Sequence, residues 1–149
     1  MAVIARRKAE NADNHHDLTK AEYETLADFR YQLRRFRSFS QSAARAGGLT
    51  SRQHQALLSI IGQPGRDVAT IGELADRLLI QHHSAVELTD RLVALDLVHR
   101  DHDRDDKRKV LISLTPRARK LLARMSAMHL EELRRLGPQL AQLLARFGS

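Results

Sequence analysis

A mainly helical protein carrying one small β-hairpin is the fold class this sequence predicts, and three observations carry it. Thr19/Glu22, Thr50/Gln53 and Thr70/Glu73 have the spacing of helix capping boxes, and each opens a run with apolar residues at helical period. Gly47-Gly48 and Gly62-Gln63-Pro64-Gly65 supply stops between those runs. Between Leu97 and Leu114 the pattern changes to two short apolar runs around Asp101–Lys109, a stretch without one apolar side chain.

Residues 1–17 mix Arg, Lys, Asn, Asp and His with little apolar content after Ile4, and read as a mobile basic tail in which Arg6, Arg7 and Lys8 can touch phosphate. Order is expected from Thr19, with Leu18 positioned to staple onto Tyr23. The first helix places Tyr23, Leu26, Ala27, Tyr31, Leu33 and Phe36 at helical spacing, interleaved with Arg30, Arg34, Arg35 and Arg37. The second runs through Ala56, Leu57, Leu58, Ile60 and Ile61, and Val68-Ala69 leaves room for only a very short strand. A third helix carries Ile71, Leu74, Ala75 and Leu78. After a break at Leu79–Gln81 a fourth runs from about His82 to Leu95, with Ala85, Leu88, Thr89, Leu92 and Leu95 as its inner face. Two short helices on so tight a turn make a helix-turn-helix.

Leu97–Arg100 and Val110–Leu114 read as the strands of a hairpin whose loop is too polar to be core. Thr115 and Pro116 then open a long helix through Ala118, Leu121, Leu122, Met125, Met128 and Leu133. Gly137-Pro138 is expected to break it, leaving Leu140, Leu143, Leu144 and Phe147 on a last short helix. A helix-turn-helix followed directly by a charged-tip hairpin is a winged helix-turn-helix. The expected division is a DNA-binding unit over residues 49–115, with residues 18–48 and 116–149 as a helical dimerisation region.

Composition narrows the function. With 149 residues, 42% hydrophobic and 29% charged, the chain is globular rather than disordered. The net charge of +7, carried mostly by Arg, points to a polyanionic partner. Having no cysteine excludes disulfides, thiolate metal sites and thiol-based redox sensing. No apolar run approaches the roughly 18 residues of a membrane helix, and the start lacks the order of a signal peptide, so a cytoplasmic location without membrane contact is expected. No phosphate-cradling loop, nucleophile elbow or paired-carboxylate pocket is present, which argues against an enzyme. The pairs His15-His16, His82-His83 and His99-His102 have no obvious third ligand, so neither a metal nor a cofactor is expected.

Two segments then resemble the multiple-antibiotic-resistance regulator (MarR) family of bacterial transcription factors. Asp90-Arg91-Leu92 followed by Leu97-Val98-His99-Arg100 is similar to that family's D-R-L-x-x-x-G-L-V-x-R. Asp106-Lys107-Arg108 with Leu114-Thr115 is similar to its wing signature, and Leu49-Thr50 opens the second helix in the same manner. One departure is Asp96, which stands where the family has the glycine that closes the recognition helix; Asp enters the left-handed region more readily than most residues.

The resemblance implies that the helix from His82 enters the major groove of double-stranded DNA. His82, His83, Ser84 and Glu87 face away from its apolar stripe, and His, Ser and Glu can all bond base edges. Glu87 and Arg91 are also spaced for an i,i+4 ion pair, so Glu87 either reads a base or orients Arg91, and Arg91 suits phosphate. In the wing, Arg104, Lys107, Arg108 and Lys109 are expected to meet phosphates and the minor groove, with Asp106 pairing an arginine to shape the hairpin.

The stripes on the terminal helices exceed what one small winged domain can bury, which predicts a homodimer and hence a palindromic operator. The family further implies a repressor released by a small-molecule effector. Arg30, Tyr31, Arg34 and His54 are candidate pocket residues and read equally well as surface charge and filler. The alternative is a winged module that binds protein or RNA; the 4% aromatic content argues against base stacking on single strands.

Overall fold

The computed structural model describes residues 17–148, so the expected basic tail lies outside it except for the exposed Asp17. The order is α1 (Lys20–Ala46), α2 (Ser51–Ile61), β1 (Val68–Thr70), α3 (Ile71–Leu78), α4 (His82–Ala94), β2 (Val98–His102), β3 (Val110–Leu114), α5 (Pro116–Ala145) and a closing 3₁₀ turn (Arg146–Gly148). Among the described residues, no helix is long and apolar enough to cross a membrane.

The capping signals act as local chemistry requires. Thr19/Glu22 and Thr50/Gln53 form reciprocal boxes that satisfy two end amides each. At Thr70 only half a box forms. The hydroxyl accepts from the Glu73 amide and donates to the Glu73 carboxylate, both at 3.2 Å, and that carboxylate also pairs with Arg66. The expected Leu18 staple is not drawn in, for Leu18 and Tyr23 both stay exposed.

Three helices end in the same turn. The amides of Leu49, Ile80 and Leu97 reach back to the carbonyls of Ala44, Ala75 and Leu92, around Gly48, Leu79 and Asp96 with φ of 78°, 54° and 57°. Asp96 thus takes the left-handed turn that its place after the recognition helix demanded. Leu79 does the same without the help of a glycine.

Val68–Thr70 is the very short strand expected there; it pairs antiparallel with β3, so the hairpin belongs to a three-stranded sheet of order β1-β3-β2. Two sequence expectations are corrected. Leu95, placed by periodicity on the inner face of α4, is 43% exposed, because the helix has ended at Ala94 and the chain is already turning. The ladder also extends to His102↔Val110, which shortens the loop to a tip.

The third correction is larger. Gly137-Pro138 does not break the last helix: α5 runs unbroken from Pro116 to Ala145 with Pro138 inside it. An interior proline removes one backbone bond and costs about 3 kcal/mol in isolation. Burial on one stripe opposes that cost, since Leu136 and Leu143, two turns apart, are both buried. α5 packs along α1, and the ring of Phe147 meets that of Phe29 edge-on at 5.9 Å.

The core joins Ala44 and Leu49 to Leu57, Ile60, Leu74, Leu92, Leu97, Ile112, Leu114, Ala118 and Leu122, so it lies under the helix-turn-helix and the sheet. Farther from this core, α1 buries little besides Thr25, and Leu26, Tyr31 and Leu33 on α1 and Met128, Leu130 and Leu133 on α5 are exposed.

Candidate nucleic-acid interface

The recognition helix α4 is seated by Ala85, Leu88, Thr89 and Leu92, with the Thr89 hydroxyl donating to the Ala85 carbonyl at 2.7 Å. Its N-terminus is open. Gln81 stands at the cap without a side-chain bond, and no acid occupies the first turn. The free amides and the positive end of the helix dipole therefore face outward beside His82 and His83, a setting that favours an anionic partner.

His82, His83 and Glu87 are exposed, while Ser84 is half-buried in a depression shared with Gly72, Asp76, Leu79 and Gln81. Glu87 and Arg91 form no ion pair with each other among the described residues. Asp90 instead pairs with Arg100 on β2, tying the recognition helix to the root of the wing. Sequence reasoning quoted both residues in a motif but missed their pairing, which is legible only once β2 lies beside α4. It also missed Val86, 37% exposed, which brings an apolar side chain onto the same outward face. Its signal was an apolar residue outside the inner set.

The wing tip is built by its own acids. Asp103 accepts from the Asp105 amide at 3.0 Å, and the Asp106 carboxylate accepts from the Arg108 amide at 3.1 Å and from its Nε at 3.3 Å. These two acids are half-buried and turned into the loop, and the Lys107 carbonyl lies 3.0 Å from His102 Nδ1. Arg104, Lys107, Arg108 and Lys109 are left on the outside. The backbone bonds Asp103 to Lys109 and Lys109 to Asp106, both 3.0 Å, close the tip. Two anions that would repel a polyanion are thus occupied in loop geometry, and the four cations share the outer surface with the exposed Asp101 and Asp105.

At the foot of the wing the Thr115 hydroxyl donates to the Asp96 carbonyl at 2.8 Å, and Arg117 bonds the Leu95 carbonyl. Arg119 pairs with Asp67 at 2.7 Å and holds that carboxyl below its ordinary pKa. The sheet, α4 and α5 are pinned to one another at this point.

The four candidate pocket residues do not converge. Arg30, Tyr31 and Arg34 are exposed on α1, where Tyr31 lies under the Arg35 guanidinium at 5.7 Å from the ring centroid. His54 is buried and stacks on His129. Among the described residues no three His, Cys, Asp or Glu side chains gather as a metal-ligand set.

A helix-turn-helix on a three-stranded sheet, with a cationic hairpin tip and an open N-terminus on its second helix, is a winged helix-turn-helix. Residues 47–109 match the model of the MarR family. The chain is similar in fold to AbsC, a MarR family transcriptional regulator from Streptomyces coelicolor, at 20% identity over 83% of this chain and 82% of that one, with a TM-score of 0.68. It is similar also to the multiple antibiotic-resistance repressor of Listeria monocytogenes 4b F2365, at 25% identity over 83% and 95%, TM-score 0.61. A point mutant of S. aureus MepR bound to an oligodeoxyribonucleotide aligns at 21% identity over 89% and 95%, TM-score 0.60. Among curated proteins, none matches the sequence. Residues 47–109 thus match the MarR family model and the chain shares the fold of MarR family transcriptional regulators, which together support a DNA-binding transcriptional regulator.

Proposed function

We propose that the protein is a homodimeric repressor that binds a palindromic operator and is released by a small-molecule effector. The observation that carries the reading is that one winged unit presents both an uncapped recognition-helix N-terminus and an outward-facing cationic wing tip. In this reading residues 49–115 form the DNA-binding unit. His82, His83, Ser84 and Glu87 meet base edges, Arg91 meets phosphate, and Arg104, Lys107, Arg108 and Lys109 follow the backbone and minor groove. Asp106 holds Arg108 and the tip in shape.

Residues 18–48 and 116–149 pair two copies. Support comes from the apolar side chains exposed on α1 and α5, including Leu26, Leu33, Leu130 and Leu133, which a second copy would cover. Two recognition helices related by a two-fold axis would sit about one DNA turn apart, roughly 34 Å, and favour an inverted repeat.

The test is selection of bound duplexes from a random-sequence library, followed by light scattering of the free protein. An inverted repeat with half-sites about 10 bp apart and a dimer mass are expected. A monomer at micromolar concentration, or enrichment of no common sequence, would overturn this reading. The effector is sought by screening small aromatic acids for release of the selected duplex.

A further inference from the structure

A buried pair of histidines joins the two parts of the molecule. His54 lies on α2, whose Ala56, Leu57 and Ile60 are in the core beneath the helix-turn-helix. His129 lies on α5, where that helix runs beside α1. The two rings stack with centroids 4.9 Å apart and planes at 25°. Phe36 and Phe39 of α1 meet the His129 ring edge-on at 6.1 and 5.3 Å.

The hydrogen bonds suit neutral rings. His129 Nδ1 donates to the Met125 carbonyl at 2.7 Å, which leaves Nε2 to accept from the Ser40 hydroxyl at 2.9 Å. His54 Nδ1 is buried without a partner. A bare lone pair there is tolerable, whereas a proton on it would be an unsatisfied donor on a charged ring. From α1 the pair is faced by Phe36, Phe39 and Ser40, and from α5 by the Met125 carbonyl. The titratable group acting on His54 is His129, and among the described residues no carboxylate offsets it. Burial first, and His129 second, hold the His54 pKa below the ordinary 6.5.

We propose that this stack is an acid-sensitive joint, docking the DNA-binding lobe on the terminal helices while the buried His54 ring is neutral and loosening it when that ring takes a proton. The proposal rests on the regulator reading above. The docked form disfavours the proton, so falling pH favours the undocked form, and each pKa unit between the two forms is worth about tenfold in their ratio. DNA that binds the docked form better is then released in acid. Any protonation of the exposed histidines at the interface adds positive charge beside DNA and acts in the opposite direction.

The experiment uses the full chain and a fluorescein-labelled duplex recovered by the library selection. Affinity by anisotropy is compared at about pH 7.5 and about pH 5.5, the span over which an imidazole changes charge. Wild type is expected to weaken by about fivefold to tenfold, while His54→Phe, which keeps a stacking ring that cannot titrate, holds or gains affinity. If His54→Phe fails to fold by circular dichroism, His54→Gln takes its place. Hydrogen exchange on the free protein supplies a second readout: the protection of amides of residues 51–61 and 125–133, taken relative to the intrinsic exchange rate at each pH, should fall in acid in wild type and not in the variant. Equal pH dependence in wild type and variant, in either readout, overturns the joint. Acid loosening by exchange in a protein that selects no duplex supports the joint and defeats the regulator reading instead.

Discussion

Asp90 on the recognition helix and Arg100 on β2 form an ion pair that fixes the wing relative to the helix that precedes it. The two side chains are 56% and 39% exposed, so screening limits what the pair adds to stability. Its consequence is positional. In the proposed docking the helix end and the hairpin tip reach two adjacent grooves of one duplex, and this pair joins the elements that carry them.

Arg100→Ala and Asp90→Ala should therefore each change the stability by no more than about 1 kcal/mol, as expected of an exposed pair. DNA affinity should fall further than that figure predicts, because the wing is no longer held in register. The exchange Asp90→Arg with Arg100→Asp should recover part of the affinity. Thermal melts alongside anisotropy decide the matter, and equal losses in both would reduce the pair to a stability element.

The wing and the helix should fail in different ways. Lys107→Ala and Arg108→Ala are expected to weaken specific and nonspecific binding together, each lost phosphate contact lowering the slope of log affinity against log salt by about 0.9. Arg108→Ala should cost more, since it also strips the partner from Asp106. His83→Ala and Ser84→Ala should shift the preferred sequence by roughly 1–3 kcal/mol per lost base contact with little change in slope. A salt series on selected and scrambled duplexes separates the two. Wild-type preference in both helix variants would contradict the docking.

Leu79 holds a φ of 54° and is 92% exposed, so it occupies left-handed backbone with almost no packing to offset it. The left-handed conformation costs an L side chain roughly 1–2 kcal/mol, and glycine gives back about 0.5–1 kcal/mol of that as unfolded-state entropy. Leu79→Gly should then stabilise the protein by up to about 1 kcal/mol, read as a raised midpoint in denaturant. A clear loss of stability would show that Leu79 is packed in the folded protein in solution.

Arg66 beside Glu73 holds that carboxyl below its ordinary pKa of 4.5, with the Thr70 hydroxyl adding to the effect. The unfolded chain binds the proton more readily, so this pair stabilises above about pH 4.5 and its contribution is lost as pH falls through the native value. Glu73→Gln should cost at most about 1 kcal/mol near neutrality, given the partial exposure of both groups, and flatten the acid limb of the stability curve. Urea titrations across that range test it. A variant with an unchanged acid limb would assign the acid sensitivity to other groups.

Local chemistry is what the sequence by itself determined. Capping at Thr19, Thr50 and Thr115, the turn after Gly47-Gly48, the left-handed Asp96 and the two wing strands all depend on neighbours within a few residues, and the structure follows each of them. The motif around Asp90 and Asp106 made the resemblance to the family legible for the same reason, since its residues stand close together in the chain. What only the tertiary structure decided are contacts between distant segments. β1 exists because β3 pairs with it, and α5 passes Pro138 because Leu136 and Leu143 are both buried. The Glu73 carboxylate at the Thr70 cap is also held by Arg66, and His54 is buried where His129, far away in sequence, stacks on its ring. Periodicity and caps report the preferences of a single segment, whereas burial energy is shared between segments and appears only when both are in place.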